Sequence, residues 1–305
     1  MKEYKNTEIK MTDRVYALIY GASGVGKSFF LGTVPKLVVI NTDMGEKVWR
    51  SKAFLAKYPN AEFTILDIEK QGYEGWMEVD KAIKYVEDNH AQREWKNLGL
   101  DSFTEVVDMA LTYAMTTNPD KKKWTGRPSQ PDYGEATRLL KEFVLRLRAL
   151  PLSVWVIGHE DTEKDETTGR ITTHPMAFGK FARRLGKYFD AYLYMDAYDV
   201  GGQTKRRFLT ENVGITQAKS NLSLPRQIED PDYAKLVALI TEHISAVPTQ
   251  APVKEAAQSP DMRASTLETP QKPATEPPPA VNPVRPMPRL GERTKGAYGT
   301  SLDKR

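Results

Sequence analysis

Eight consecutive residues carry the densest chemistry of this chain: Gly21, Ala22, Ser23, Gly24, Val25, Gly26, Lys27 and Ser28. They fit G-x-x-x-x-G-K-[ST] at every fixed position. Glycines at those places let successive backbone N–H groups curl around a β-phosphate, and the lysine reaches the β and γ oxygens. Ser28 can give its hydroxyl to Mg2+, and Phe29 follows as the next neighbour of a bound nucleotide. A buried-strand run, Val15–Tyr20, enters the loop, and Ser28-Phe29-Phe30-Leu31 begins a helix beyond it. That is the context in which a helix start is aimed at phosphate. The competing reading is a glycine-rich turn without a ligand. The expectation is a site for ATP with Mg2+.

Ligands of open α/β sheets bind at the carboxyl ends of the strands, so the residues at each strand end are candidates for the site. The run Asn97–Leu100 ends in Asp101-Ser102, an acid able to hold Mg2+ through water. The alternative is a plain N-cap for the helix opening at Phe103. The run Leu37–Ile40 continues into Asn41-Thr42-Asp43-Met44-Gly45-Glu46. Hydrolysis needs an acceptor that orients water in line with the γ-phosphate, and both Asp43 and Glu46 qualify, Asp43 being favoured. Leu152–Ile157 ends in Gly158-His159-Glu160. His159 can touch the γ-phosphate and report the nucleotide state, or be a hydrogen-bonded structural histidine.

The elements that position these residues alternate. Strands are expected at 37–40, 62–67, 97–101, 152–157, 191–195 and 206–210. Helices are expected near 76–88, 103–115, 133–147, 178–188 and 232–243. Polar loops are expected at 118–131 and 160–175. Short apolar strands between helices imply an α/β domain over residues 1–245, its mostly parallel sheet covered by helices on both faces. Residues 246–305 hold eleven of the twenty prolines and little apolar periodicity, so a disordered, basic tail is expected there. The tail also takes nine Lys/Arg against six Asp/Glu, which leaves about +1 of the net +4 for the domain. Net charge alone is therefore no argument for a nucleic-acid partner. The absence of cysteine excludes disulfides, thiolate zinc sites and cysteine nucleophiles. With no long apolar run and no secretory signal, a cytoplasmic protein without membrane contact is expected.

This order of parts resembles the RecA-like core ATPases. More closely it resembles the phage-encoded short RecA-like single-strand annealing proteins or recombinases. The resemblance covers residues 13–225. It rests on Gly21–Ser28, Asn41–Glu46, Leu100–Glu105, Asp132–Thr137, Val156–Glu160, Lys164–Gly169, Gly179-Lys180 and Ala218–Asn221. It implies a RecA-like P-loop NTPase core with Mg2+-dependent, DNA-stimulated ATP hydrolysis in single-strand annealing or strand exchange. It also implies a homo-oligomer, ring or filament, with ATP between subunits, in a bacterial host cytoplasm if phage-encoded. Asp43 takes the place of the catalytic acid, where larger members usually carry glutamate.

The same resemblance assigns two segments to single-stranded DNA: Lys121, Lys122, Lys123, Trp124 and Arg127, and the stretch from Glu160 to Lys180 with Arg183 and Arg184 beyond it. The first has its own physical case, since cations bind phosphates and an aromatic face accepts any base. In the second, Asp161, Glu163, Asp165 and Glu166 oppose phosphate, which leaves Arg170 through Lys180, Arg183 and Arg184. Lys219 resembles the cation that completes a neighbouring subunit's ATP site, with Arg206 and Arg207 competing for the role. The tail could recruit a single-strand-binding protein or another partner. The alternatives are a helicase or translocase motor on the same core, and a nucleotide-gated interaction protein working through its Pro-rich tail.

Overall fold

The structure is a computed structural model that describes residues 14–43, 45–119 and 126–245. The first half runs β1 (Tyr16–Gly21), α1 (Lys27–Leu31), β2 (Leu37–Asn41), α2 (Lys52–Lys57), β3 (Thr64–Asp67), α3 (Gly72–Asn89), β4 (Asn97–Asp101) and α4 (Phe103–Thr117). Next come α5 (Gln130–Ala149), β5 (Ser153–Lys164), β6 (Ile171–Pro175), α6 (Gly179–Arg184), β7 (Ala191–Val200) and β8 (Gln203–Leu209). Then β9 (Lys219–Ser220), β10 (Gln227–Glu229) and α7 (Tyr233–Ser245) complete the order. The expected Lys121–Trp124 DNA segment and the tail from residue 246 lie outside the described residues.

The strands form one mixed sheet in the order β10-β8-β7-β1-β5-β4-β2-β3, with β6 on β5 and β9 on β7. From β7 to β3 neighbouring strands run parallel. At the other side β8 and β10 turn antiparallel. Side chains alternate across the sheet. Leu18, Leu100 and Val156 meet Ile83, Phe103 and Leu140 from α3, α4 and α5 on one face. Ile19, Val39 and Trp155 meet Phe30, Leu31 and Leu236 from α1 and α7 on the other. Register places the strand ends level: Gly21 lies opposite His159, and Asn41 opposite Asp101.

Strand β4 shows why two residues that weaken its apolar pattern belong there. A Cβ on Gly99 would stand 2.9 Å from Leu31 Cδ1, so glycine is what lets α1 settle onto the sheet. Asn97 is buried but satisfied: its amide donates to Pro35 O at 2.7 Å, and its oxygen accepts from Trp155 Nε1 at 2.9 Å.

One expectation is corrected. Residues 160–175 are a β-hairpin rather than a polar loop, with Glu160 opposite Pro175 and Lys164 opposite Ile171. Its turn is tied by Gly169 N to Asp165 O at 2.7 Å, and the Asp165 carboxylate accepts from the Thr167 and Thr168 amides. Both faces of the hairpin carry polar residues, so the alternation that reveals a half-buried strand is missing. Likewise β7 runs on past Met195 to Val200 and turns at Gly201-Gly202, both at positive φ, as a two-residue hairpin requires.

Candidate nucleotide-binding site

The P-loop is the turn between β1 and α1. Gly24 and Gly26 adopt φ of +79° and +111°, conformations that cost a side chain strain. Lys27 is buried, and its ammonium donates to Gly21 O at 2.9 Å and Ala22 O at 2.7 Å. Burial lowers its pKa, opposed by the carboxylates of Asp101, Glu160 and Asp43. A buried ammonium held by two main-chain carbonyls is poised to exchange them for phosphate oxygens.

Asp101 ends β4 and is 2% exposed. Its Oδ2 is buried without a hydrogen-bond partner. The N-cap position falls on Ser102 instead. Burial pushes the Asp101 carboxyl above its ordinary value, opposed by the Ser28 hydroxyl and by the charge of Lys27. A Cβ built on Gly45 would find Ser28 Oγ at 3.8 Å and Asp101 Oδ2 at 3.9 Å, so both oxygens face one small space. Such an orphaned carboxylate oxygen beside a hydroxyl fits a hard cation that keeps water and phosphate among its ligands. Among the described residues no group of three or more His, Cys, Asp or Glu side chains could hold a metal ion. Ser28 and Asp101 are the residues that could hold such a cation beside a bound nucleotide.

Backbone bonds lace the neighbouring strand ends together. Thr42 N donates to Asp101 O at 2.6 Å, Thr42 Oγ1 donates to Ser102 O, and Thr104 Oγ1 accepts from His159 N at 2.9 Å. The lacing brings His159 Nε2 to 3.4 Å from Asp43 Oδ2. Glu46, in the 3-10 turn of residues 45–50, has its carboxylate 3.4 Å from the Asn41 amide, which also holds Asp67 at 2.6 Å. Asp43 acts on the charges of Lys27, Asp101 and Glu105.

Two site carboxylates escape the sequence reading. Glu105, in the first turn of α4, is pushed up by burial and then by Asp43. Its spacing of four from Asp101 is the only signal, one helical turn returning it to the strand end. Glu160 has a buried Oε2 with no hydrogen-bond partner and raises the pKa of the neighbouring Tyr194, already raised by burial.

The cations expected elsewhere divide. Arg206, from β8 of the same chain, donates from Nε to Val25 O at 2.9 Å and lies over Gly26. It is a P-loop contact within one chain. Arg207 is held by Asp196 at 2.8 Å and stacks over Tyr198. Lys219 is exposed on β9 opposite Tyr192, which itself pairs with Leu18, well back along β1 from Gly21. There it shares a groove of about 580 Å3 with Arg170, Arg183, Arg184 and Lys187, against Glu211 as an acidic neighbour. Arg183 leans toward Glu163 at 3.4 Å and Asp165 at 4.0 Å. Lys180 and Arg127 are exposed, and neither lines that groove.

A phosphate loop between strand and helix, with a buried acid two strands away, defines a P-loop nucleoside-triphosphatase core of the α/β type. Comparison with protein families goes one step further: residues 13–222 match the AAA domain, and the chain belongs to that family. Among solved structures, a KaiC-like protein from the hyperthermophilic archaeon Pyrococcus horikoshii OT3 is similar over 71% of this chain and 89% of its own, at 13% identity and a TM-score of 0.38. The flagellar accessory protein FlaH of Methanocaldococcus jannaschii is similar over 70% and 84%, at 13% identity and a TM-score of 0.39. No curated protein matches the chain. No helix among the described residues is long and apolar enough to cross a membrane.

Proposed function

We propose that the protein is a Mg2+-dependent ATPase that binds single-stranded DNA and couples turnover to that binding, in single-strand annealing or strand exchange. The observation that carries the reading is a shared hairpin. Strand β5 leaves the nucleotide site at His159, and the β5–β6 hairpin it enters runs to the basic groove, where Arg170 and Thr172 form part of the wall.

In this reading Lys27 neutralises charge on the β- and γ-phosphates. Ser28 and Asp101 hold Mg2+, which supplies further neutralisation when bound. Asp43 accepts a proton from the attacking water, oriented by His159 at its other edge. Because the His159 carbonyl accepts from Met176 N at 2.9 Å, a shift of His159 on hydrolysis is transmitted to the segment leading into α6. The protein works as a homo-oligomer in which Lys219 of one copy approaches the ATP of the next.

The test is ATP hydrolysis with and without single-stranded DNA, duplex DNA serving as control. Stimulation by single strands is expected. No stimulation, together with no binding at low salt in the presence of ATP, would defeat the reading and leave a nucleotide-gated interaction protein. Membership of the AAA domain family favours a second reading, a translocating motor on the same core. Directional unwinding of a forked duplex would select it.

A further inference from the structure

Tyr20 precedes the first P-loop glycine and is wholly buried. Its ring lies between those of Tyr192 and Tyr194, with centroids 5.2 Å away in each case. Shape alone would be met by phenylalanine, and a buried hydroxyl is costly unless it is bonded. Its one proton has two carbonyl acceptors within reach, Gln217 O and, at 3.2 Å, Thr173 O. The two acceptors belong to one small zipper. Gln217 N donates to Thr173 O at 3.1 Å, and Thr173 N donates to Ile215 O at 2.8 Å. Gln217, Ile215 and Thr172 line the basic groove, with Lys219 two residues further on. A single phenol therefore joins the strand that feeds the P-loop to the wall of the groove.

We propose that Tyr20 is the positioning residue through which nucleotide binding is felt at the groove. The switch lies next to it. Lys27 holds the carbonyls of Gly21 and Ala22, and phosphate oxygens compete for the same ammonium hydrogens. Release of the Gly21 carbonyl frees the end of β1, and the Tyr20 hydroxyl carries the displacement to residues 213–219. The proposal adds a route to the coupling proposed above and rests on that reading for its DNA consequence alone.

The experiment compares the full chain with Tyr20→Phe, using Tyr16→Phe as matched control. Tyr16 lies on the same strand and also donates to a main-chain carbonyl, that of Arg148 at 2.9 Å. Amide hydrogen exchange of residues 171–175 and 213–219 is followed with and without Mg2+ and a non-hydrolysable ATP analogue. In the unaltered chain and in Tyr16→Phe the analogue is expected to change exchange in these segments by about fivefold or more, the lower end of ordinary coupling. In Tyr20→Phe the analogue still binds, within about twofold, and the response is lost. A response retained in Tyr20→Phe overturns the proposal. So does an unaltered chain whose segments ignore the analogue, a result that does not depend on how well the variant folds. Single-stranded DNA is then added as a separate arm. If it neither binds nor stimulates while the exchange response behaves as expected, the DNA reading fails and the Tyr20 route stands.

Discussion

At the scale of single residues the site turns on which carboxylate serves the attacking water. Asp43 is 3.4 Å from His159 and acts on the charges of Lys27, Asp101 and Glu105, whereas Glu46 is turned toward the Asn41 amide that also holds Asp67. Asp43→Asn is therefore expected to lower kcat by about 10²-fold or more with ATP still bound, a usual range for a lost general base. Glu46→Gln should stay within about threefold of the unaltered chain by the same standard. Steady-state hydrolysis with a separate nucleotide-binding measurement decides it, and equal losses would remove the distinction. Lys27→Ala should abolish turnover altogether; unchanged turnover would refute the P-loop as the site. Lys27, Asp43, Asp101 and His159 were legible as candidates because each lies in the P-loop or just past an apolar run of strand type. Glu105 was not, because it returns to the site by one turn of helix. Glu160 was hidden among Asp161, Glu163, Asp165 and Glu166, and its buried, unpartnered Oε2 is what sets it apart.

Between elements, what sequence concealed was close approach and local closure. Gly99 weakens the apolar pattern of its strand and leaves the space into which Leu31 of α1 packs. Gly99→Ala brings a Cβ to 2.9 Å from Leu31 Cδ1 and 3.0 Å from Cδ2. Overpacking of this kind costs about 1–3 kcal/mol, to be read as a lower denaturant midpoint, and a wild-type midpoint would show that Leu31 yields freely. The start of α5 makes a second case. Asp132 Oδ2 accepts from the Ser129 amide at 2.7 Å and from its hydroxyl at 2.6 Å, while Oδ1 accepts from the Asn118 amide at 2.6 Å. One carboxylate thus ties the end of α4 to the beginning of α5. These bonds hold its pKa below the ordinary value, led by the Ser129 hydroxyl. A depressed acid stabilises the fold above its unfolded pKa, and the contribution fades as pH falls through the folded one. The stability difference between the native chain and Asp132→Asn should accordingly be largest near neutrality and shrink below the usual aspartate range. A difference that stays constant down to strongly acid pH would mean that the charge of Asp132 contributes nothing.

For the whole molecule, the distribution of charge decides what its sum cannot. Residues 1–245 carry a net charge of only about +1, yet Arg170, Arg183, Arg184, Lys187 and Lys219 converge on one groove with Glu211. Arg170, Arg183 and Arg184 stand close enough in sequence to be read together, whereas Lys219 reaches the groove only because β9 pairs with β7. Each cation that touches a phosphate releases counterions, and for single strands the slope of log affinity against log salt changes by about 0.7 per contact. Removing Arg170, Arg184 and Lys187 together should flatten that slope by up to about 2. Arg183→Ala alone should change it less, since Glu163 and Asp165 already share its charge. Glu211→Gln should move affinity the other way, tightening binding at low salt without altering the number of contacts. Salt titrations of binding to a short homopolymer separate these outcomes. If the triple substitution leaves the slope unchanged, single strands bind elsewhere.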